Sequence, residues 1–282
     1  MKNKRLKLIL SISTLALLLT GCSSSGELID VSTKFDAVKN DGFFSAIITY
    51  PLAQAINYLE PKTGIFLAIT LVTVAINIIL LAFTFKSSVA MQRMQEIQPE
   101  LQKIQAKYEG RTDNASQQRM AMEMQQIYAK YNVNPLGALA TTFLQFPLLV
   151  GMYSAVRRSA AVANASFMNV SLALTPGDAL KQKAWVCVVI FVLMVLCQFL
   201  SIKTPQWMAD AKGKKEAASH HKSYQKPQQQ NQMMTYMMLG MIALAMYSCP
   251  TALSLYYLIY SVINVIKTLA ISTITEKKKE AK

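Results

Sequence analysis

Long apolar runs separated by short charged stretches set the pattern of this chain. Ile65 to Phe85 holds no charge and is closed by Lys86. Leu136 to Val156 is closed by Arg157 and Arg158, and Ala184 to Ile202 by Lys203. Met233 to Cys249 and Thr251 to Ile274 follow, with only Pro250 between them, so they predict a tight helical pair. At 1.5 Å per residue the runs roughly match a hydrocarbon layer of ~30 Å, though the fourth is short. Spans of this kind must be helices, because lipid offers backbone groups no hydrogen-bond partner. The pattern therefore predicts an all-α membrane protein with five transmembrane helices.

Two amphipathic stretches complete the plan. Phe43, Phe44, Ile47, Ile48, Leu52, Ala55 and Ile56 recur at helical spacing with Tyr50 and Tyr58 beside them. They predict an interfacial helix over 43–59 at the outer surface, ended by Glu60-Pro61-Lys62. Between the first two runs, Met91, Met94, Ile97, Leu101, Ile104 and Tyr108 step by three or four residues, as do Met120, Met124, Ile127 and Tyr131. With a turn at Gly110 to Asn114, they predict a cytoplasmic antiparallel helical hairpin over 88–132. Its seam either closes on itself as a spacer or, being rich in adaptable methionine, receives other chains; Met91, Met94, Met120 and Met124 are the candidates. The expected organisation is then 1–21 signal peptide, 22–42 tether, 43–59 interfacial helix, 60–87 first span and 88–132 hairpin. It continues with 133–202 second and third spans, 203–232 cytoplasmic loop, 233–274 fourth and fifth spans, and 275–282 basic tail.

Charge and compartment refine this. Lys2, Lys4, Arg5 and Lys7 precede a short apolar stretch, Leu8 to Leu19, that is too short to span. Leu19-Thr20-Gly21-Cys22 then resembles the bacterial lipobox, which implies cleavage before Cys22, a diacylglyceride on its thiol, and a mature N-terminus outside the cell membrane. With that orientation the inner segments carry seventeen Lys and Arg against seven in the outer ones, in keeping with the positive-inside bias. Arg157 and Arg158 run against it and are expected to reach the outer headgroups. The formal charge of +14 thus calls for no DNA partner; inner loops and anionic lipid account for it. Cys187, Cys197 and Cys249 lack any paired spacing and read as free buried thiols. His220-His221 has no acidic or cysteine partner, so neither a metal nor a cofactor is expected. No paired acids, His-x-x-x-His or Ser/Lys pair lies in the spans, which argues against an intramembrane enzyme. Lys267 is the one ionisable group in them, too few for a transporter relay.

Several motifs, in order and spacing, resemble the YidC-type membrane insertase family in its Gram-positive lipoprotein branch. Met94-Gln95-Glu96-Ile97-Gln98-Pro99-Glu100-Leu101 and Lys107-Tyr108 resemble the start of that family's cytoplasmic hairpin. Lys130-Tyr131-Asn132-Val133-Asn134-Pro135-Leu136-Gly137 resembles its end. Gln145-Phe146-Pro147, Gln198, and Pro250 with Leu255-Tyr256-Tyr257 match family positions in the second, third and fifth spans. The resemblance implies a non-enzymatic insertase and chaperone whose hydrophilic groove, open to the cytoplasm, eases client proteins into the bilayer. It implies nascent membrane proteins as partners, with the Sec translocon and the ribosome as further candidates; the lysines at 277–279 and 282 suit either a ribosome or anionic headgroups. It also exposes a departure: the family's first-span arginine is here Asn77, and the proline-leucine pair after it is Ala82-Phe83. The implied groove lining is Asn77, Gln145 and Gln198, with Thr73, Thr141 and Thr142 as weaker members. A divergent assembly factor without insertase activity is the main rival, and a small transporter the lesser one.

Overall fold

The computed structural model describes residues 27–39, 41–42, 44–164, 166–219 and 229–280. Cys22, the signal segment, Phe43, His220, His221 and Lys282 lie outside the described residues. Among those described the chain is mostly helical, and three helices are long and apolar enough to cross a membrane: Ile65–Glu96, Trp185–Lys214 and Thr251–Ile274.

In chain order the helices are α1 (Phe35–Lys39), α2 (Tyr50–Thr63), α3 (Ile65–Glu96), α4 (Gln98–Lys107) and α5 (Asn114–Lys130). There follow α6 (Pro135–Arg158), α7 (Ala160–Asn164), α8 (Pro176–Lys181), α9 (Trp185–Ser219), α10 (Gln229–Tyr247) and α11 (Thr251–Glu280). A two-residue hairpin pairs β1 (Ser166–Phe167) with β2 (Val170–Ser171). The chain divides into two compact units. One holds the described residues up to Val72 with Gln145–Val189 and Ser248–Tyr256; the other holds Thr73–Leu144, Ile190–Tyr247 and everything from Tyr257 onward.

In the first unit α2 is preceded by a π-helical turn, Ser45–Thr49. The sequence pattern ends this helix at Leu59, before Glu60-Pro61-Lys62, but the helix runs on to Thr63. The break comes instead at Gly64, whose φ of 77° is a left-handed conformation suited to glycine. Nor is the helix only an interfacial float: Leu52, Ala53, Ile56 and Asn57 are buried, while Tyr58 is exposed. Gly151 on α6 explains how closely the π-turn approaches, since a Cβ there would sit 2.3 Å from Ile48 Cγ2. Polar ties hold the first described residues to the end of α6. Ile29 N–H donates to Arg158 O and Ile29 O accepts from Ala160 N–H, a one-residue parallel bridge. Asn57, buried, donates from Nδ2 to Ile29 O at 2.6 Å and accepts at Oδ1 from the Ser159 hydroxyl at 2.6 Å and Ala161 N–H at 3.1 Å.

Arg158 corrects a sequence expectation. Rather than reaching outward to headgroups, its side chain is 4% exposed and pairs with Asp41 at 2.5 Å, with further bonds to Glu27 O and the Ser45 hydroxyl. Consecutive residues on a helix point about 100° apart, so Arg157 and Arg158 cannot share a direction. Arg157 lies over Tyr153 in the exposed layer.

In the second unit the region from 88 to 132 is not two long helices. Residues 88–96 continue α3, and the chain breaks at Ile97 before Pro99 restarts it as α4. Ile97, Leu101 and Val133 form a small core, with Met94, Met124, Ile127 and Tyr128 packed on it. Met91 and Met120 are half-buried, and Met122 is exposed. Tyr131 turns outward, its hydroxyl on Glu100. Asp113 caps α5 by accepting from Ser116 N–H, and that bond holds its carboxyl below the usual range. Glu123 is lowered first by its hydrogen bond from Lys107 at 2.6 Å and then by that from Tyr108; Lys107 is raised chiefly by Glu123. Depressed carboxyl values stabilise above the ordinary value of about 4, and that help is lost as pH falls through the folded value. The raised lysine value contributes below the ordinary lysine value and is lost only as pH rises past the folded one. Hydrogen-exchange protection of α4 and α5, corrected for intrinsic rates, should therefore fall between about pH 5 and pH 3 and stay level from about pH 5 to 9. Unchanged protection at pH 3 would exclude a role for these two carboxylates.

The expected loop over 203–232 is also corrected: α9 continues to Ser219, with Pro205 inside it, and α10 begins at Gln229. Gly213, Pro227 and five glutamines between 204 and 231 suggest a loop, but Ala, Met, Lys and Glu between 208 and 218 are good helix formers extending an established helix.

Candidate functional site

The second unit places polar side chains at one-turn spacing along α3. Thr73, Asn77, Thr84, Ser88, Gln92 and Glu96 are separated by four or seven residues, which keeps them on neighbouring faces of a helix. Thr73, Thr84 and Ser88 are buried. Isoleucines, leucines and phenylalanines take the outward positions: Ile78, Ile79 and Phe83 are exposed. A helix arranged in this way presents fat to one side and hydrogen-bonding groups to the other. Asn77 Nδ2 donates back to Thr73 O at 2.8 Å, so its amide is partly occupied within α3. Ser88 Oγ and Gln92 Oε1 are enclosed and make no hydrogen bond.

A second polar line joins α9 to α11. Ser261 Oγ lies 2.5 Å from Gln198 Oε1 and 2.7 Å from Tyr257 O, and Asn264 Nδ2 donates to Ser201 Oγ at 2.8 Å. Both pairs are offset by 63 residues, so the two helices run in the same direction and in step here. Pro205 adds to the polarity, since it cannot supply the N–H that would bond the Ser201 carbonyl one turn back. Beyond it Lys212 pairs with Glu96 of α3 at 2.9 Å, both side chains about one-fifth exposed. Gln92, Glu96, Pro205, Met208, Ala209, Lys212 and Thr268 line a narrow crevice, open to solvent, with free space for about one water molecule.

The model of the family described as 60Kd inner membrane protein matches residues 59–279. The chain belongs to this family, the YidC family. It is 34% identical over 167 residues to the membrane protein insertase MisCA of Bacillus subtilis (strain 168), over 58% of this chain and 61% of that protein. It is 28% identical over 271 residues to the membrane protein insertase YidC of Oceanobacillus iheyensis, over 95% of this chain and 96% of that protein. Listeria monocytogenes YidC 1 is 27% identical over 285 residues, 99% of this chain and 88% of that one. The match to MisCA thus spans less than two thirds of that relative, whereas the Oceanobacillus protein is matched nearly end to end.

In this YidC-family chain the residues expected to line a groove are not all alike in setting. Thr73 and Asn77 meet through one hydrogen bond on α3. Gln198 is buried and engaged by Ser261. Gln145 is half-buried on α6 in the first unit. The side chains of Thr141 and Thr142 lie outside the described residues. Sequence reasoning passed over Ser201, Ser261 and Asn264. Serine and asparagine at i and i+3 in the fifth run were the available signal, but only the in-step packing of α9 and α11 shows that they answer Gln198 and Ser201.

Proposed function

We propose that the chain is a membrane protein insertase that lowers the barrier to placing polar client segments in the bilayer. The observation that carries this is the hydrogen-bonding face of α3, from Thr73 to Gln92, on a helix whose other side is apolar. Moving a client charge to the bilayer centre costs roughly 2.5–3.5 kcal/mol on insertion scales. Amides and hydroxyls set in a helix bundle replace part of the lost water, and the client's apolar part then moves sideways into lipid. Asn77, Gln145 and Gln198 are the principal groups, with Thr73, Thr141 and Thr142 beside them. No covalent step is required, so the protein acts by binding rather than as an enzyme.

The surrounding arrangement is part of the same proposal. Five helices span, α6 and α10 supplying the second and fourth. The N-terminus is outside, held by lipid on Cys22, and the basic C-terminus is cytoplasmic. The methionines at 91, 94, 120 and 124 give a client its first contact on the cytoplasmic side; nascent membrane proteins are the clients, with the Sec translocon and ribosome as partners. Because Asn77 carries no charge, attraction of acidic client segments is weak. A second role, as an assembly factor that does not insert, is favoured by one observation: Asn77 and Gln198 already have hydrogen-bond partners in the protein.

Complementation of an insertase-depleted cell separates the two. With the wild-type chain restoring growth, the paired substitution Asn77→Leu and Gln145→Leu should slow insertion of a single-span client with polar flanks at least about tenfold, the loss expected if one such polar group goes unassisted. Normal insertion at normal protein level would remove the polar groove from the account.

A further inference from the structure

The crevice between the end of α3, the extension of α9 and α11 has two chemistries side by side. Met208, Ala209 and the Pro205 ring form an apolar wall. Gln92 and Glu96 of α3 line it as well; the Gln92 side-chain oxygen is enclosed and unbonded, and the Glu96 carboxylate is held by Lys212. One turn before Gln92, Ser88 Oγ is likewise enclosed without a hydrogen bond. Buried acceptors left unbonded are costly and uncommon, so a donor belongs there when the site is in use.

We propose that this crevice holds the lysine or arginine that flanks the inner end of a client's span. A lysine or arginine is an apolar stem ending in a donor-rich cation, which matches a lining that combines apolar side chains with acceptors. Client spans carry such residues at their cytoplasmic ends by the positive-inside bias, and water-poor surroundings are where they most need a counter-charge. The guest cation takes Glu96 from Lys212 and bonds Gln92 Oε1, while the Lys212 ammonium, on a side chain about one-fifth exposed, turns to solvent. Lys212 is thus a stand-in for the client: an internal cation occupying the site until a guest displaces it. This deepens the insertase proposal and rests on it.

The exchange predicts opposite effects for the two partners of one ion pair. In full-length protein in membranes, a cysteine at Met208 is crosslinked to a cysteine placed beside the basic flank of a single-span client. Glu96→Gln should reduce the crosslink about fivefold, as should Gln92→Leu, and Lys212→Gln should raise it, because a charge-assisted bond is lost in one case and its competitor in the other. Replacing the client's flanking lysines with serine should erase the difference between variants. If Glu96→Gln and Lys212→Gln shift the crosslink in the same direction, the pair is only a structural tie and the proposal fails. It also fails if the client inserts with no crosslink at Met208→Cys. Failure of the wild-type chain to support any insertion would instead sink the insertase proposal itself, so the two failures are told apart by the insertion assay run alongside.

Discussion

Asn57→Leu is expected to cost about 3 kcal/mol of stability. The side chain serves three protein groups at once: the Ile29 carbonyl, the Ser159 hydroxyl and the Ala161 N–H. Leucine is close in size, so packing changes little, yet Ile29 and Ser159 remain buried, Ala161 half-buried, and each loses a bond. The Ile29 carbonyl keeps its bond from Ala160 N–H and suffers least. Ser159 is fully buried, and its hydroxyl, which also accepts from Val162 N–H, loses the amide oxygen it donates to. Unfolding in detergent, followed by heat or denaturant, gives the loss. Hydrogen exchange should locate it at 29–33 and 159–162. A loss below about 1 kcal/mol would mean that water replaces the amide and that the junction is wetter than its burial implies.

How much of this was legible in the sequence depended on the range of the interaction. The apolar runs at 65–85 and 184–202 gave α3 and α9 because length and the absence of charge are local properties, and the same holds for α11. The ends were read less well. Pro61 looked like a stop, but a proline near a C-terminal end removes little, and Gly64 with its positive φ is the true break. Residues 204–219 were read as loop from composition, although a helix already formed extends at little cost through alanine, lysine and glutamate. The candidate site was visible only in part. Asn77 stands out as a polar residue in an apolar run, and so does Gln198. What Gln198 faces is set by a contact 63 residues away, and no local pattern encodes that offset. The same limit hid the partner of Arg158: two adjacent arginines closing an apolar run look alike until the helix turns one of them inward.

That inward arginine leads to an asymmetric pair of outcomes. Asp41→Ala should destabilise the first unit by about 3 kcal/mol, and Arg158→Met by less, about 1–2 kcal/mol. The difference follows from which charge is buried. The Arg158 side chain is 4% exposed and that of Asp41 35%. Without Asp41 the guanidinium stays enclosed with, among the described residues, the Glu27 carbonyl and the Ser45 hydroxyl as acceptors, neither of them charged. Without Arg158 the aspartate turns into water and recovers much of its hydration, while methionine fills the space of the stem. Combining the two substitutions should therefore leave the protein more stable than Asp41→Ala alone, because the uncompensated buried charge is gone. Unfolding midpoints of the four proteins in one detergent make the comparison. Equal losses for the two single variants, or an additive double variant, would show that the pair is hydrated in the membrane. Arg158 would then be free to meet lipid headgroups, as the chain's charge pattern alone suggests.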